Sequence, residues 1–282
     1  MERRGEAVTT HLSTEQAAKA SFPEGGVFYY WPRGFLLLAP SFIVDHRERP
    51  TRRPTIRLML SLLAPFEIEF SNGSRLKTRA VLMSPEVRRR EITAKACNFV
   101  LLDMAVSTPE YATLAPLVAG QAVLPLEPEG FGMLLPQFEQ AFAGKMNGEQ
   151  IRELRREAVH AIAGAYPQAP DYDPRVEAAL AVIQQRRLED VSLEDIAQAV
   201  HLSPDRLRHL FKEQVGHTVS HFARTNAVWK ALSAWSEGQQ LTHLAHEVGF
   251  HDYSHFSHAF KDMFGFNPGL ATSARHFKVI GC

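Results

Sequence analysis

Cysteine is nearly absent from this 282-residue chain, which holds only Cys97 and Cys282. Two thiols build neither a disulfide framework nor a tetrahedral zinc set, and such usage suits a reducing compartment. Net charge is lacking as well, because 31 Lys+Arg offset 31 Asp+Glu. The whole chain therefore has no electrostatic signature of a nucleic-acid or membrane binder, and any such surface must be local. The longest apolar-rich run, Phe35 to Val44, falls far short of the roughly 20 residues of a membrane span. The opening MERRGEAVTT has no apolar segment of the secretory kind. These absences point to a soluble cytoplasmic protein with no membrane partner. The remaining composition, 45% hydrophobic and 22% charged with 17 Gly and 17 Pro, excludes disordered and fibrous chains. The length calls for two domains.

From Val27 to Met104 the chain reads as strands, with short β-branched, Leu and aromatic runs (VFYYW, FLLL, IRLMLSLL, FEIEF, NFVLLDM) separated by Pro and Gly. FEIEF-SNGS-RLKTRAVLM is a hairpin in which Asn72-Gly73 supplies the positive φ angles of a tight turn. Strands at this spacing predict a small barrel or sandwich. After Pro109 the pattern turns helical over Tyr111–Ala119, Phe131–Ala143 and Glu149–Ala163. In the last of these, Ile151, Leu154, Ala158, Val159 and Ile162 form one apolar stripe. Such a stripe is long enough to pair with a second copy, so Ile151, Leu154, Ala158 and Ile162 are the candidate dimerisation residues, the alternative being packing on the chain's own sheet. YPQAPDYDP, 166–174, carries three prolines and reads as a linker. The domains are then 20–165 and 175–282.

The second domain contains an internal repeat. Leu193, Ile196, Ala197 and Val200 recur as Leu241, Leu244, Ala245 and Val248, 48 residues on; after one inserted residue, Leu207, Phe211, Lys212 and Gly216 recur as Phe256, Phe260, Lys261 and Gly265. Each unit is a short helix, a turn and a second helix ended by glycine, the layout of a helix-turn-helix. Ser192, Ser203 and Asp252 stand at helix N-caps, with Pro204 at a first helical position. A long helix from Thr218 to Trp235 joins the units. Packing Leu207, Leu210, Phe211 and Val215 inward turns Asp205, Arg208, His209 and Lys212 outward. The second unit offers Tyr253, Ser254, Ser257, His258 and Lys261. These are groups of the kind that read base edges when such a helix enters the major groove, although a single such face would equally suit a solvated surface.

SLEDIAQAVHLSPDRLRHLFKEQVGHT and LTHLAHEVGFHDYSHFSHAFKDMFGFNP resemble the two helix-turn-helix units of AraC/XylS transcriptional regulators. The likeness covers roughly 175–276, and its second signature is carried by Leu244, Ala245, Val248, Gly249, Phe250, Ser254, Phe256, Phe260, Lys261, Gly265 and Pro268. It implies an α+β chain, an N-terminal cupin-like barrel with trailing helices followed by an all-α DNA-binding domain. It also implies recognition helices in successive major grooves, about one turn or ~34 Å apart. The partners implied are double-stranded promoter DNA, RNA polymerase, a small-molecule effector and a second copy of the chain. Four positions depart from the pattern. His258 and Ala227 stand where the family usually has Arg, and Ala271-Thr272 where an aromatic-Arg pair is usual. With 11 Lys+Arg against 11 Asp+Glu over 174–282, the domain predicts modest non-specific affinity and a shallow salt slope.

Ten of the 13 histidines lie in this domain, including His243, His246, His251, His255 and His258. Solvated or phosphate-facing imidazoles are the expectation, and no metal or cofactor is called for. A cupin metalloenzyme would require clustered His and carboxylates, yet only His11, His46 and His160 precede the boundary. An alkyl-transfer repair protein would require a reactive thiol, and Cys97 reads as a buried, inert one in an apolar strand. The chain is therefore not expected to be an enzyme. Arginines at 47, 49, 52, 53, 57, 88, 89 and 90 suit an anionic effector or, more simply, solvated edge strands. The competing class is a protein-interaction module whose barrel only dimerises or binds a protein.

Overall fold

The computed structural model describes residues 20–21, 25–45, 55–85, 87–236, 239–264, 266–271 and 276–282. His11, His46, Gly265, Thr272 and the arginines at 47, 49, 52 and 53 lie outside the described residues. The N-terminal half folds as two antiparallel sheets built from β1 (Ala20–Ser21), β2 (Gly26–Trp31), β3 (Gly34–Ala39), β4 (Phe42–Asp45), β5 (Thr55–Ser61) and β6 (Phe66–Phe70), then β7 (Arg75–Thr78), β8 (Ala80–Met83), β9 (Arg89–Ala94), β10 (Phe99–Ala105) and β11 (Val123–Pro125). One sheet has the order β1-β4-β9-β6-β7; the other runs β11-β8-β5-β10-β3-β2 and ends on a twelfth strand from the far end of the chain. Among the described residues the two sheets stay separate, so the cupin-like unit is an open sandwich rather than one closed ring.

Alternation explains the long apolar runs. Phe28, Phe35, Leu37, Met59 and Phe99 face the opposing sheet, whereas Val27, Tyr29, Leu36, Leu58 and Leu102 face a layer of helices. Strands covered on both faces read as nearly continuous hydrophobic text. Phe99 locks the sheets in register, stacked on Phe42 at 5.0 Å and edge-on to Phe66 at 5.1 Å. In the β6–β7 hairpin only Gly73 takes a positive φ, 83°. Asn72 serves through its side chain instead, accepting from the Ser74 amide at 3.0 Å. Cys97 is fully buried, but in the turn before β10 rather than in a strand, and burial raises its thiol pKa.

The helical layer holds α1 (Pro109–Leu114), α2 (Leu135–Phe142) and α3 (Gly148–Ala163). Asn147 opens α3 with a capping box through Gln150, and Gly164 closes it in the left-handed conformation. The candidate dimerisation stripe is corrected here. Ile151, Leu154 and Ala158 are buried in the core formed with the chain's own sheet, and Ile162 packs against that core. An apolar stripe states only that a face is buried, and the nearest unpaired sheet face covers this one.

Two arginines also depart from the simpler expectation. Arg57 is 0% exposed and Arg89 2%, so neither keeps a solvated edge soluble. By strand alternation Arg57 shares the inward face of β5 with Met59, opposite Asp103 on β10. Three of its nitrogens lack a hydrogen-bond partner.

The second half is helical: α4 (Pro174–Gln185), α5 (Leu193–Ala199), α6 (Pro204–Val215), α7 (Val219–Ala234), α8 (Leu241–Glu247), α9 (Tyr253–Phe264) and α10 (Pro268–Ala271). The chain then returns to the first domain as β12 (Phe277–Gly281), pairing in parallel with β2 so that Val279 lies opposite Phe28. Residues 175–282 are thus not one detached unit. Phe264 packs at 6.1 Å from Phe28 and 5.3 Å from Phe35, and Trp229 lies 6.5 Å from Phe35. The 166–174 segment is stitched at both ends, by Gln168 to the Thr113 hydroxyl (3.1 Å) and by Asp173 to the Gln214 side chain (2.9 Å).

Candidate nucleic-acid interface

Both predicted helix-turn-helix units form, and their turns carry the one-residue insertion. Four residues, 200–203, separate α5 from α6; five, 248–252, separate α8 from α9. The left-handed residue is His201 (φ 55°) in the first turn and Gly249 (φ 91°) in the second. Glycine is required at 249, because a Cβ there would stand 2.7 Å from the Leu188 amide nitrogen. Ser203 caps α6 by accepting from the Arg206 amide at 3.3 Å, and Asp252 accepts from the His255 amide at 2.7 Å. That bond, with His251 beside it, lowers the Asp252 carboxyl pKa.

α7 joins the units and spans ~24 Å at the usual helical rise. Its first half gives Val219, Phe222 and Ala223 to the core of the first unit; its second half gives Ala227, Val228, Trp229 and Leu232 to that of the second. Ala227 is buried, so a long cation there would have to be rebuilt into the core. A second tie fixes the units relative to each other. Arg187 donates to the carbonyls of His246 (2.7 Å) and Glu247 (3.1 Å), capping α8, while the Leu188 amide donates to Val248 O at 3.0 Å. Lys230 donates to Arg186 O at 2.7 Å. The segment after α4 therefore holds the second unit through backbone acceptors.

The outward face of α6 has the exposure the sequence reading expects, that of α9 only in part. On α6, Leu207, Leu210, Phe211 and Val215 are buried, leaving Asp205, Arg208, His209 and Lys212 exposed. On α9, Ser254 and His258 are exposed, whereas Tyr253, Ser257 and Lys261 are partly buried. Tyr253 packs at 6.2 Å against Phe256, an additional role that its sequence position did not reveal. Arg208 and Asp205 form an ion pair one turn apart. His255 points its ring at Phe250, 5.0 Å away and nearly perpendicular. Among the described residues, no three His, Cys, Asp or Glu side chains converge as a metal site, and no helix is long and apolar enough to cross a membrane.

Residues 196–272 match the helix-turn-helix domain family. The arabinose operon regulatory proteins of Escherichia coli (strain K12) and Salmonella typhimurium (strain LT2) are each 32% identical to this chain over 101 residues. That stretch is 35% of this chain and only 35% and 36% of those proteins, so the likeness covers about a third of the curated relatives. Over nearly the whole chain, the crystal structure of apo ToxT K231A from Vibrio cholerae shares the fold, with a TM-score of 0.53 at 11% identity, covering 85% of this chain and 97% of that one.

Proposed function

We propose that this chain, whose C-terminal region is a helix-turn-helix domain of the AraC/XylS type, is a sequence-specific DNA-binding regulator of transcription that takes a small-molecule signal through its sheet domain. The observation that carries the reading is the pair of recognition faces, on α6 and α9, held by one helix and by the Arg187 cap. Arg208 and His209 on α6, with Ser254 and His258 on α9, are the base-reading groups; Asp205 positions Arg208 until DNA replaces it. Lys212 and Lys261, one to two turns further along, suit phosphates, with Tyr253 and Ser257 supporting the α9 face. Promoter DNA is the first partner and RNA polymerase bound beside it the second. The protein acts in the cytoplasm and without catalysis.

Arg57 is the feature of the sheet domain that an interaction module leaves without a role. A fully buried guanidinium whose three nitrogens find no hydrogen-bond partner among the described residues is expensive to bury. Burial lowers its pKa to about 10 despite nearby Asp103. Its position favours the sensing reading over the interaction module. The test of DNA reading is footprinting on genomic fragments with the full chain, followed by the Arg208→Ala and His258→Ala double variant. Discrete sites lost in the double variant support the reading. Uniform, sequence-blind binding in both proteins overturns it. A rise in thermal midpoint of the full chain with small-molecule extracts supports sensing.

A further inference from the structure

A cavity lies on the helix-covered side of the sheet, away from Arg57. It measures about 290 Å³ and is bounded by the β2–β3 turn, the start of α1, the first turns of α3 and the residue that follows β12. This volume is at the lower limit of the ~300–1,000 Å³ of small-molecule sites. Arg33, Arg152 and Arg155 line it, together with the Glu110 carboxylate and Cys282. That carboxylate is already engaged, since Arg155 Nε stands 3.1 Å from Glu110 Oε1. Arg155 also lies over the Trp31 ring at 4.7 Å, so its orientation is fixed from two sides. Arg33 donates to the neutral Ser107 hydroxyl at 2.8 Å, and Arg152 is exposed on α3.

The backbone is strained at the same place. Arg33 (φ 68°) and Ser107 (φ 72°) both occupy the left-handed region without being glycine. Arg33 takes the third position of the β2–β3 turn, after Pro32, where glycine costs least. Such strain collects at ligand clamps, where a side chain is required in spite of the backbone cost. Here Ser107, next to the lining residue Thr108, accepts from Arg33 and holds it at the cavity wall.

We propose that this cavity binds a small oxyanionic metabolite, a compound bearing two carboxylates or phosphate groups, with Arg33 and Arg152 as its cationic donors and the Arg155–Glu110–Trp31 group as a rigid wall. Two guanidiniums with no ion pair among the described residues, in a recess with low-dielectric walls, concentrate anions and grip them bidentately. Burial destabilises the Arg33 charge, and an incoming anion restores it. The site also has a route to the DNA-binding half. Cys282 lines the cavity, and its amide donates to Tyr30 O at 2.9 Å directly after β12. A ligand resting on that wall tightens the strand that ties the two halves together.

Inorganic phosphate, pyrophosphate, succinate and citrate are the probes, titrated into the full chain at constant ionic strength with sodium chloride as the control. Calorimetry and the thermal midpoint report binding; hydrogen exchange reports the amides of 277–281. The expectation is saturable binding by at least one probe, slower exchange in β12, and affinity reduced tenfold or more in both Arg33→Gln and Arg152→Gln. Phosphate-only and carboxylate-only responses identify the headgroup. Arg152 is exposed, so its variant retains the fold and keeps the test decisive even if Arg33→Gln does not fold. The proposal fails if none of the four probes saturates, or if chloride reproduces the shift. It fails equally if binding survives Arg152→Gln and disappears in Arg57→Met, which would assign the anion to the sandwich interior.

Discussion

Arg208 and Asp205 lie three residues apart on the exposed face of α6, paired in the free protein. An exposed pair of this kind contributes little to stability; on the proposed function it holds the guanidinium extended for DNA. Arg208→Ala should cost about 1–3 kcal/mol at one base position, as expected for a bidentate Arg–guanine contact. Binding to a panel of single-base variants checks this, and an equal loss on every sequence would make Arg208 a phosphate contact. His258 occupies the corresponding exposed face of α9, where the resemblance leads one to expect a permanent cation. His258→Arg should tighten binding and steepen the salt dependence by about 0.9 in log–log slope, measured by titration at several salt concentrations. A different histidine governs stability. Burial, and then Arg224, lower the His221 pKa. Its protonation favours the unfolded chain, so its stabilising contribution is complete above the unfolded value of ~6.5 and is lost as pH falls towards the lowered folded value. Urea unfolding at pH 7.5 and 5.5 should therefore differ less in His221→Gln than in the parent protein.

At the scale of elements, α3 and β12 each carry a testable consequence. Leu154 is 2% exposed between α3 and the sheet, and burying such a side chain contributes ~1.5–3 kcal/mol. Leu154→Glu should destabilise the protein by about 4 kcal/mol or more, since it adds a buried charge to the lost packing. The outcome is loss of the N-terminal fold in circular dichroism rather than a soluble, well-folded monomer. β12 pairs with β2 alone and forms the edge of the seven-stranded sheet. Because the Cys282 amide reaches Tyr30 O, the two-residue period directs the Ile280 amide to the same strand. Ile280→Pro removes that donor. Hydrogen exchange should then accelerate in β12 and also in α9, whose Phe264 rests on Phe28.

For the molecule as a whole, the aromatic cluster joining Phe28, Phe35, Trp229, Phe264, Phe266 and Phe277 is continuous from the sandwich into the second helix-turn-helix unit. A shared core couples the stabilities of the parts that share it. Calorimetry of the full chain should show a single cooperative transition. A fragment beginning at Pro174 should melt well below it, because separation exposes Trp229 and Phe264 to water. Two independent transitions in the full chain would argue against the coupling.

The helix-turn-helix repeat was legible from sequence because its determinants are local. Apolar residues at helical spacing, Ser203 and Asp252 at the caps, and Gly216 after the first recognition helix act within a few residues of one another. The strands of the sandwich were legible for the same reason, through alternation and turn residues, as was the outward face of α6. Other features depended on which distant segments meet. The stripe of α3 announced burial but not its partner, and the arginine at 57 reads alike at a wet edge and in a dry interior. The strand at 277–281 has no helical or hairpin neighbour to reveal it, since its partner β2 lies some 250 residues earlier. The cavity beside Arg33 likewise exists only where four segments distant in sequence converge. Local periodicity is written in the chain itself; the identity of a long-range partner is decided by which apolar and charged surfaces remain uncovered once the local elements have formed.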